Sequence, residues 1–451
     1  MTVKAMTRRE VLKSIGVTTA GVLLISGCQL ATPMVQVTEP TKPSEPAAEK
    51  GPVELTAAWL APQSYWEPQL KLFNELHPEI RVKPIETPVT GAFSWGAFFD
   101  KVATLIAAGV PIDTIRVPIE GAKLVVALGI VQPLDDYLAM DPLDEALSDI
   151  EPMLRKPFQL RGKTWAIPWD FNVMMIWYNM AHFKEAGIEP PGRDWTYEEF
   201  LEIAGKLTVK SGDQVERFGF VLPTGYHFQS IPWVFNRGAS HLSDDWNKAT
   251  MDDPKFLSGI DFMRDLVWKH KVATVDSDPF RLMYSGKASM VGGGRWPTLT
   301  FVRNNFRDGN ITVWPDGGAR FTEFGVGAQW MTKLTKHPDA VWEVLKFFTT
   351  KESQEALHGG AVSISVRRSV ATTTTSEFAP PDDKLFYESF DIAPPKPVPS
   401  PPDFSRIEEP LMRGYQETVV SNARPTEEVW AEVQEEVSKI IAERPKEWQD
   451  L

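Results

Sequence analysis

The spacing of apolar residues changes repeatedly along the chain, and each change predicts a different element. Short apolar runs predict strands at 53–60, 113–117, 173–178, 218–222, 288–292 and 311–315. Apolar residues three and four positions apart predict helices at 66–76, 97–108, 196–207, 340–348 and 426–443. Strands that alternate with helices in this way are typical of an α/β fold with helices on both faces of its sheets.

Two local patterns sharpen this prediction. Thr196-Tyr197-Glu198-Glu199 has the pattern of a capping box, in which a threonine hydroxyl and a glutamate three residues later satisfy the first N–H groups of a helix. The run 173–178 is apolar throughout, as expected for a strand that is covered on both faces. We therefore predict sheets that are buried between layers of helices.

The composition is that of a globular protein with room for two or three domains. The chain has 451 residues, of which 43% are apolar and 24% are charged. Its formal net charge of −13 is opposite in sign to the positive charge that nucleic-acid-binding proteins carry, so we expect no nucleic-acid partner. The single cysteine excludes an internal disulfide and cysteine-rich metal sites. The 16 tryptophans are the unusual feature, because large aromatic faces serve either as core or as ligand platforms.

The first 28 residues have the features of an export signal. Lys4, Arg8, Arg9 and Lys13 precede an apolar run at 14–27, which is shorter than the roughly 20 residues that span a bilayer. The two arginines resemble a twin-arginine export signal, with general secretion as the alternative, and the run ends at Cys28 in a lipobox-like sequence. We therefore predict a lipid anchor at Cys28, a proline-rich tether over 29–52 and a location on the outer face of the cell membrane.

Motifs that would indicate an enzyme are missing from the sequence. It contains no Gly-x-Ser-x-Gly elbow, His-Glu-x-x-His pair, Walker loop or Gly-x-Gly-x-x-Gly turn. Gly325-Val326-Gly327 lacks the third glycine of a dinucleotide-binding turn, and the seven histidines do not have the spacing of metal ligands. We therefore predict no catalytic residue, no metal site and no cofactor.

Four stretches, in order within 53–451, carry a resemblance to one family. Gly162–Pro168 continues into Trp177-Tyr178-Asn179 and then into the helix that starts at Thr196. Gly286–Trp296 is a strand of small residues that is followed by a Gly-x-Trp motif. The third and fourth stretches are Thr335–Glu343 and Ala361–Ser369. Together they resemble the bacterial extracellular solute-binding proteins of the sugar-binding, maltose-binding-protein-like type.

The resemblance implies an α/β fold of two lobes, each a sheet flanked by helices, with several hinge crossings. It divides the chain into lobe 1 at 53–170 and 327–385, and lobe 2 at 171–326 and 386–451. A solute, expected to be a sugar, would bind between the lobes and stabilise the closed form. The protein, expected to be a monomer, would then deliver the solute to the permease of an ATP-binding-cassette (ABC) importer without making or breaking a bond.

The resemblance also implies which residues contact the ligand. Trp296 matches the family's stacking tryptophan, with core packing as the alternative. Trp169, Asp170 and Asn172 lie at the first crossing between the lobes, where Asn172 places an amide at an acidic position of the family. These four residues are expected to line the cleft.

Further candidates come from loops. Tyr226, His227 and Phe228 match a loop that lines the site in the family, although His227 also fits an exposed turn. Tyr65 follows the first strand, at the strand end where α/β proteins bind ligands, as a lid aromatic or as a helix cap. Arg116 and Glu120 match polar contacts by position only, with a surface ion pair as the alternative.

Other parts of the chain are expected to be structural. The tryptophans that fall on strands or on apolar helix faces are expected in the core: Trp59, Trp314, Trp330, Trp342 and Trp430. Six prolines in 394–402 predict an extended surface segment that crosses between the domains. The family's C-terminal aromatic contact has no match near 404–412, which indicates a ligand other than a maltodextrin.

Two alternatives to a sugar-binding protein stay open. The same fold can hold another solute, such as a polyol, an amine, a peptide or glycerol phosphate, and the arginines that keep a phosphate open are Arg116, Arg295, Arg367 and Arg368. An extracellular glycan-degrading enzyme would need two facing acids, and Asp170 is the only acid that a matching motif assigns to the cleft.

Overall fold

The structure is a computed structural model that describes residues 51–60, 66–87 and 95–451. The predicted signal with Cys28, the tether up to residue 50 and Tyr65 lie outside the described residues. Within the described ranges the strands are β1 (Val53–Leu60), β2 (Ile80–Thr87), β3 (Thr114–Pro118), β4 (Gln159–Leu160), β5 (Lys163–Thr164), β6 (Ala166–Val173), β7 (Met175–Asn179), β8 (Val209–Ser211), β9 (Gln214–Pro223), β10 (Ala273–Asp276), β11 (Ala288–Gly293), β12 (Gly309–Thr312), β13 (Thr322–Met331), β14 (Ile364–Ser365) and β15 (Pro395–Pro397).

The α-helices flank these strands. They are α1 (Glu67–Leu76), α2 (Trp95–Ala107), α3 (Ile119–Ala127), α4 (Asp135–Met140), α5 (Asp144–Ser148), α6 (Pro152–Arg155), α7 (Met180–Ala186), α8 (Tyr197–Leu207), α9 (Pro232–Phe235), α10 (Pro254–Trp268), α11 (Pro279–Tyr284), α12 (Thr298–Arg303), α13 (Pro338–Phe347), α14 (Lys351–Gly359), α15 (Arg368–Thr373), α16 (Leu385–Ile392), α17 (Phe404–Tyr415) and α18 (Thr426–Ala442). In the part of the chain that the structure describes, no helix is both long enough and apolar enough to cross a membrane.

Two large mixed sheets form the framework. The first has the strand order β14-β6-β13-β3-β1-β2, with β15 beside the start of β13. The second has the order β10-β9-β11-β7-β12, with β8 beside β9. In the first sheet β1 is parallel to β2 and β3, whereas β13 is antiparallel to β3 and β6. The result is a two-lobed α/β fold, as predicted.

The chain passes between the two sheets more than once. It leaves the first sheet at Met174, so the apolar run 173–178 is divided between β6 of one sheet and β7 of the other. It returns between β12 and β13, and after β15 it continues to α18, which packs against α10. The lobe boundaries stay a prediction, although β15, within the range given to lobe 2, pairs with the first sheet.

The core follows the two-residue period of the buried strands. Leu55 and Trp59 of β1 face one apolar cluster together with Phe73 of α1 and Leu345 of α13. Ala58, on the opposite face of β1, belongs to a second cluster that also contains the centre of the second lobe. All five tryptophans predicted in the core are buried.

The proline-rich segment differs from its prediction. Residues 395–397 are extended, as expected, and pair with β13. Residues 398–402, however, are buried rather than on the surface, and Val398 belongs to the main apolar cluster. Proline is tolerated here because β15 pairs along only one edge and the segment then leaves the sheet.

The capping box at the start of α8 is confirmed. The Thr196 hydroxyl accepts from the backbone N–H of Glu199 at 3.2 Å, and the Glu199 carboxylate accepts from the backbone N–H of Thr196 at 2.8 Å. Helix α8 lies directly on β9, because Gly219 of that strand has no side chain: a Cβ there would come within 2.0 Å of the Ala204 carbonyl oxygen.

Replacing Gly219 by alanine is expected to lower the free energy of unfolding by about 1–3 kcal/mol, since the backbone of α8 must move away from β9. Gly205→Ala on the same helix is the matched control, because a Cβ there meets nothing within 4 Å. That substitution is expected to stabilise the protein by about 0.5–1 kcal/mol. Urea unfolding of both variants checks this, and equal effects of the two substitutions would contradict it.

Candidate functional site

A cavity of about 430 Å³ lies between the two lobes. Its first-lobe side is formed by residues of β3, β6 and β13 and the start of α3, and its second-lobe side by α11, α12 and the loops that follow β9 and β11. A volume of this size is typical of a site for a small organic molecule.

The first-lobe side is a polar wall built from alternate residues of neighbouring strands. Asp170 and Asn172 alternate on β6, and Glu323, Gly325 and Gly327 alternate on β13. The register of the two strands places Asp170 opposite Gly327 and Asn172 opposite Gly325. Because side chains two apart point to the same face of a sheet, all five positions face the cavity.

An ion pair crosses the centre of this wall. Nη2 of Arg116, on β3, lies 2.7 Å from both carboxylate oxygens of Asp170, on β6. The pair passes over Gly327 of the intervening strand β13, where a Cβ would come within 2.2 Å of Asp170 Oδ1. The Ser363 hydroxyl donates a further hydrogen bond to Asp170 Oδ2 at 2.6 Å. Gly327 is therefore needed for close approach of the two charges.

Trp169 lies behind the polar wall, in contrast to its prediction as a ligand contact. Its ring is fully buried, and its indole N–H donates to Gln69 Oε1 at 2.7 Å. The Arg116 guanidinium lies 4.9 Å from the centre of this ring, so Trp169 supports the arginine by a cation–π contact. Nε and Nη1 of Arg116 are buried and have no hydrogen-bond partner among the described residues.

Two further carboxyl groups belong to the polar wall. Glu120, near the start of α3, and Glu323 of β13 are 5% and 2% exposed, and both line the cavity. Neither carboxyl oxygen of Glu323 has a hydrogen-bond partner within the described ranges. Burial, together with the negative charge of Glu120, raises the pKa of Glu323 well above the ordinary value for a glutamate.

The second-lobe side is an aromatic wall. Trp296 lies in the loop after β11, with its ring centre 5.2 Å from that of Phe228 and 6.1 Å from that of Phe280. Both contacts are edge-to-face, so the three rings form one rigid group beside the cavity. Trp296 is partly exposed, consistent with its predicted place in the cleft rather than with its alternative as core.

Arg295 fixes the position of the neighbouring Trp296. Its Nε and Nη2 donate to the Asp383 carboxylate at 2.7 Å, and its Nη1 donates to the carbonyl oxygens of His358 and Ser363 at 2.7 and 2.9 Å. Its backbone N–H donates to Asn172 Oδ1 of the polar wall at 2.8 Å. The guanidinium is fully buried and engaged at each nitrogen, so it is not free to bind an anionic ligand.

Of the other arginines considered for binding a phosphate, only Arg116 lines the cavity. Arg367 pairs with Glu145 and Asp149, and Arg368 with Glu151. Neither lines the cavity between the lobes. Arg116 is the only basic side chain among the described residues that line it, and the alternative of Arg116 as a surface ion pair does not hold because the pair is buried.

Tyr226 and His227 line a second, much smaller cavity of about 20 Å³, which adjoins the first at Glu120 and Phe228. Tyr226 is buried, with its ring 5.5 Å from that of Trp430. Burial lowers the pKa of His227 to about 4, so its imidazole is neutral at physiological pH. The structure thus separates these two residues from the main cavity, to which the sequence assigned them.

Several lining residues were missed by the sequence analysis. They are Glu323, Gln229, Asp278 and Phe280. Glu323 carried a usable signal, because it is the only charged residue in its strand and is followed by two alternating glycines. The Asp278 carboxylate also caps α11, accepting from the backbone N–H of Arg281 at 3.2 Å. Among the described residues, no group of His, Cys, Asp and Glu side chains is arranged to hold a metal ion.

A two-lobed fold with a cavity between the lobes is typical of proteins that bind a small ligand by hinge closure. Comparison of the sequence with known families identifies the family. The sequence profile of the family described as bacterial extracellular solute-binding protein matches residues 57–355. The chain belongs to this family.

Individual relatives agree with this membership. The chain is 24% identical over 237 residues to the maltotriose-binding protein of Pyrococcus abyssi, covering 49% of this chain and 47% of the relative. It is 24% identical over 227 residues to the arabinooligosaccharide-binding protein of Halalkalibacterium halodurans, covering 45% and 49%. The chain thus spans about half the length of the curated relatives that it matches.

The fold is similar to that of the ABC substrate-binding protein Lmo0181 from Listeria monocytogenes, whose structure was solved in complex with cycloalternan. The TM-score is 0.76 at 20% identity, and the match covers 87% of this chain and 100% of that one.

Replacing Gly327 by alanine is expected to lower the free energy of unfolding by about 1–3 kcal/mol, because the new Cβ overlaps the Arg116–Asp170 pair. Gly325→Ala is the matched control on the same strand, since its nearest contact would be Glu120 Oε1 at 3.8 Å. We expect the control to change stability by less than about 1 kcal/mol. Chemical denaturation measures both, and a Gly327→Ala protein as stable as the control would contradict the close packing.

The raised pKa of Glu323 predicts a pH-dependent loss of stability. Above about pH 4.3, the ordinary glutamate pKa, the unfolded chain loses this proton while the folded protein keeps it. Stability is therefore expected to fall as the pH rises, by up to about 1.4 kcal/mol per pH unit, until the folded-state pKa is passed. Glu323→Gln removes this contribution, so at neutral pH the variant is expected to be more stable than the wild type.

Urea unfolding of the wild type and of Glu323→Gln between pH 4 and 8 gives the difference in stability between the two proteins at each pH. The titration of all other groups contributes nearly equally to both proteins and largely cancels in this difference. A difference that does not grow with pH would contradict the assignment.

Proposed function

We propose that this protein is the substrate-binding component of an ABC importer and that it binds a carbohydrate between its two lobes. The observation that carries the proposal is the pairing of an aromatic wall, at Trp296, with a polar wall, at Arg116 and Asp170, across one cavity. A sugar ring has an apolar C–H face and hydroxyl groups at its edge, and these two walls complement both.

The mechanism follows from the distribution of the contacts over two lobes. A solute on the aromatic wall of the second lobe gains the hydrogen bonds of the first lobe only when the lobes are closed. Binding therefore stabilises the closed form, which is the form that a permease would recognise. The Arg116 guanidinium and the Asp170 carboxylate both line the cavity, and they supply one donor group and one acceptor group for sugar hydroxyls.

Family membership and relatives support a carbohydrate ligand. The two relatives above are named for binding maltotriose and an arabinooligosaccharide, and the similar solved structure holds cycloalternan. A phosphate ester is less well supported, because Arg116 is the only guanidinium among the described lining residues and is already paired with Asp170. No chemical conversion of the solute is part of the proposal.

Export and anchoring belong to the same proposal. The basic N-terminus, the short apolar run and the lipobox-like sequence at Cys28 support a lipoprotein held on the outer face of the membrane. The family description as extracellular supports export. We propose a monomer whose partners are the solute, the permease and, through the lipid, the membrane.

The expected ligand class can be tested by thermal unfolding in the presence of mono- and oligosaccharides, polyols and sugar phosphates. A bound solute at one hundred times its dissociation constant should add about 2.7 kcal/mol of stability. Trp296→Ala is expected to weaken binding at least tenfold, about 1.4 kcal/mol, because it removes the stacking surface. Trp296→Phe, which keeps an aromatic face, is expected to retain most of the affinity.

Trp268→Ala is the control, since Trp268 is exposed on α10, outside the cavity. Equal losses in the Trp296 and Trp268 variants would contradict the site. Recovery of the ligand unchanged after prolonged incubation separates a carrier from a glycan-degrading enzyme. A stability shift with sugar phosphates alone would overturn the carbohydrate assignment.

A further inference from the structure

Gln229 is the buried polar side chain on the second-lobe side of the cavity. It follows β9 in the same loop as Tyr226 and His227, but it lines the main cavity, whereas those two residues line the small one. Gln229 is only 6% exposed. The other described residues on this side that carry a hydroxyl or carboxyl group are exposed: Ser277, Asp278 and Thr300. Gln229 is therefore the polar group of this side that the surrounding protein holds in place.

A tight turn fixes the backbone around Gln229. The N–H groups of Ser230 and Ile231 both donate to the carbonyl oxygen of His227, at 2.7 and 3.0 Å. The Ser230 hydroxyl donates to the carbonyl oxygen of Gly225 at 2.8 Å, and the N–H of Gln229 donates to Nδ1 of the neutral His227 ring at 3.4 Å. These contacts set the direction in which the Gln229 side chain leaves the loop.

One hydrogen bond determines which way the Gln229 amide faces. Its Nε2 donates to the carbonyl oxygen of Gly292, on β11, at 2.7 Å. Because a carbonyl oxygen can only accept, the NH₂ group must lie on this side of the amide and Oε1 on the other. Oε1 accepts no hydrogen bond from the described residues and, unlike the carboxyl oxygens of Glu323, it is not sealed inside the protein. Oε1 is thus an acceptor that a molecule in the cavity can reach.

The contact with Gly292 also places the amide beside the aromatic wall. Gly292 lies four positions before Trp296. The ring of Trp296 folds back over Gly294 of the same segment, where a Cβ would come within 2.1 Å of that ring. A Cβ on Gly292 would come within 2.5 Å of the Trp314 ring, so this end of β11 is tightly packed. The Gln229 amide and the Trp296 ring are therefore fixed to one short segment of the chain.

An acceptor next to an aromatic face suits the edge of a stacked sugar ring. A sugar that stacks on an indole through its C–H face directs hydroxyl groups outward from its edge, and a hydroxyl group can donate to an amide oxygen. A ligand that lacks this hydroxyl group would displace water from the cavity and leave the amide oxygen unpaired. Contacts of this kind discriminate between similar ligands more strongly than apolar contacts do.

We propose that Gln229 is a specificity-determining residue whose Oε1 accepts a hydrogen bond from one hydroxyl group of the sugar that stacks on Trp296. This inference rests on the proposed carbohydrate function and identifies a residue that selects among sugars. The bond to Gly292 keeps the oxygen turned toward the solute. A sugar that is deoxygenated or O-methylated at the recognised position has no donor for this oxygen and is expected to bind more weakly.

The test combines a change in the protein with a change in the sugar. Isothermal titration of the full-length protein uses the sugars that shift its thermal unfolding, with maltotriose, arabinotriose, cellobiose and mannobiose as the first probes, and the monodeoxy analogues of each sugar that binds. In the wild type, at least one monodeoxy analogue is expected to bind at least tenfold more weakly than its parent sugar. In Gln229→Met, which keeps the length of the side chain but lacks the amide oxygen, this ratio is expected to fall below threefold.

The design separates a lost contact from a damaged site. Each ratio compares two sugars in the same variant, so a general weakening that follows from the lost bond to Gly292 cancels. Gln214→Met, at an exposed position of β9 outside the cavity, is the matched control and should leave every affinity unchanged. Thermal unfolding confirms that each variant is folded, and Gln229→Ala makes the same test if the methionine variant does not fold.

The outcomes distinguish this inference from the proposed function. Sugars that bind with a dependence on Trp296, but whose analogues lose the same factor in the wild type and in Gln229→Met, would overturn the role of Gln229 and leave the carbohydrate function intact. A wild-type protein that binds every monodeoxy analogue as tightly as its parent sugar would do the same. If no sugar binds, here or in the thermal unfolding experiments, the proposed function fails and this inference fails with it.

Discussion

The ion pair between Arg116 and Asp170 is the interaction on which the organisation of the site depends. It connects β3 with β6 across β13 and is possible because Gly327 has no side chain. Both charges are almost completely removed from water, so each needs the other, and the hydroxyl of Ser363 and the ring of Trp169 complete their surroundings. The polar wall is therefore a preorganised surface.

A second buried arginine relates the two walls to each other. Arg295 binds the Asp383 carboxylate and two carbonyl oxygens through its side chain, and it binds Asn172 of the polar wall through its backbone. Trp296 follows it directly in the chain. The position of the aromatic wall is thus determined by first-lobe contacts as well as by its own lobe. Because the Arg295 guanidinium is fully buried, this connection is screened little by solvent and holds the loop after β11 in one conformation.

The electrostatics of the cavity distinguish the possible ligand classes better than its shape does. Three of the four guanidinium groups that the sequence offered for a phosphate are engaged elsewhere: Arg295 is bound by Asp383, and Arg367 and Arg368 pair with acids outside the cavity. What remains between the walls is one compensated ion pair together with further carboxyl groups. A site of this kind is unfavourable for an anionic ligand.

The sequence by itself determined the alternation of strands and helices, the capping box at Thr196, the core tryptophans and the family, because these depend on local spacing and on motifs. It also indicated Trp296, Asp170 and Asn172, since a motif accompanied each. Only the tertiary structure decided that Trp169 lies behind the wall, that Arg116 is buried in it, and that Glu323 faces the cavity. Those properties depend on which strands are neighbours and on which face each residue occupies. Strand order and register join residues that are 54 to more than 200 positions apart, and no local pattern records them.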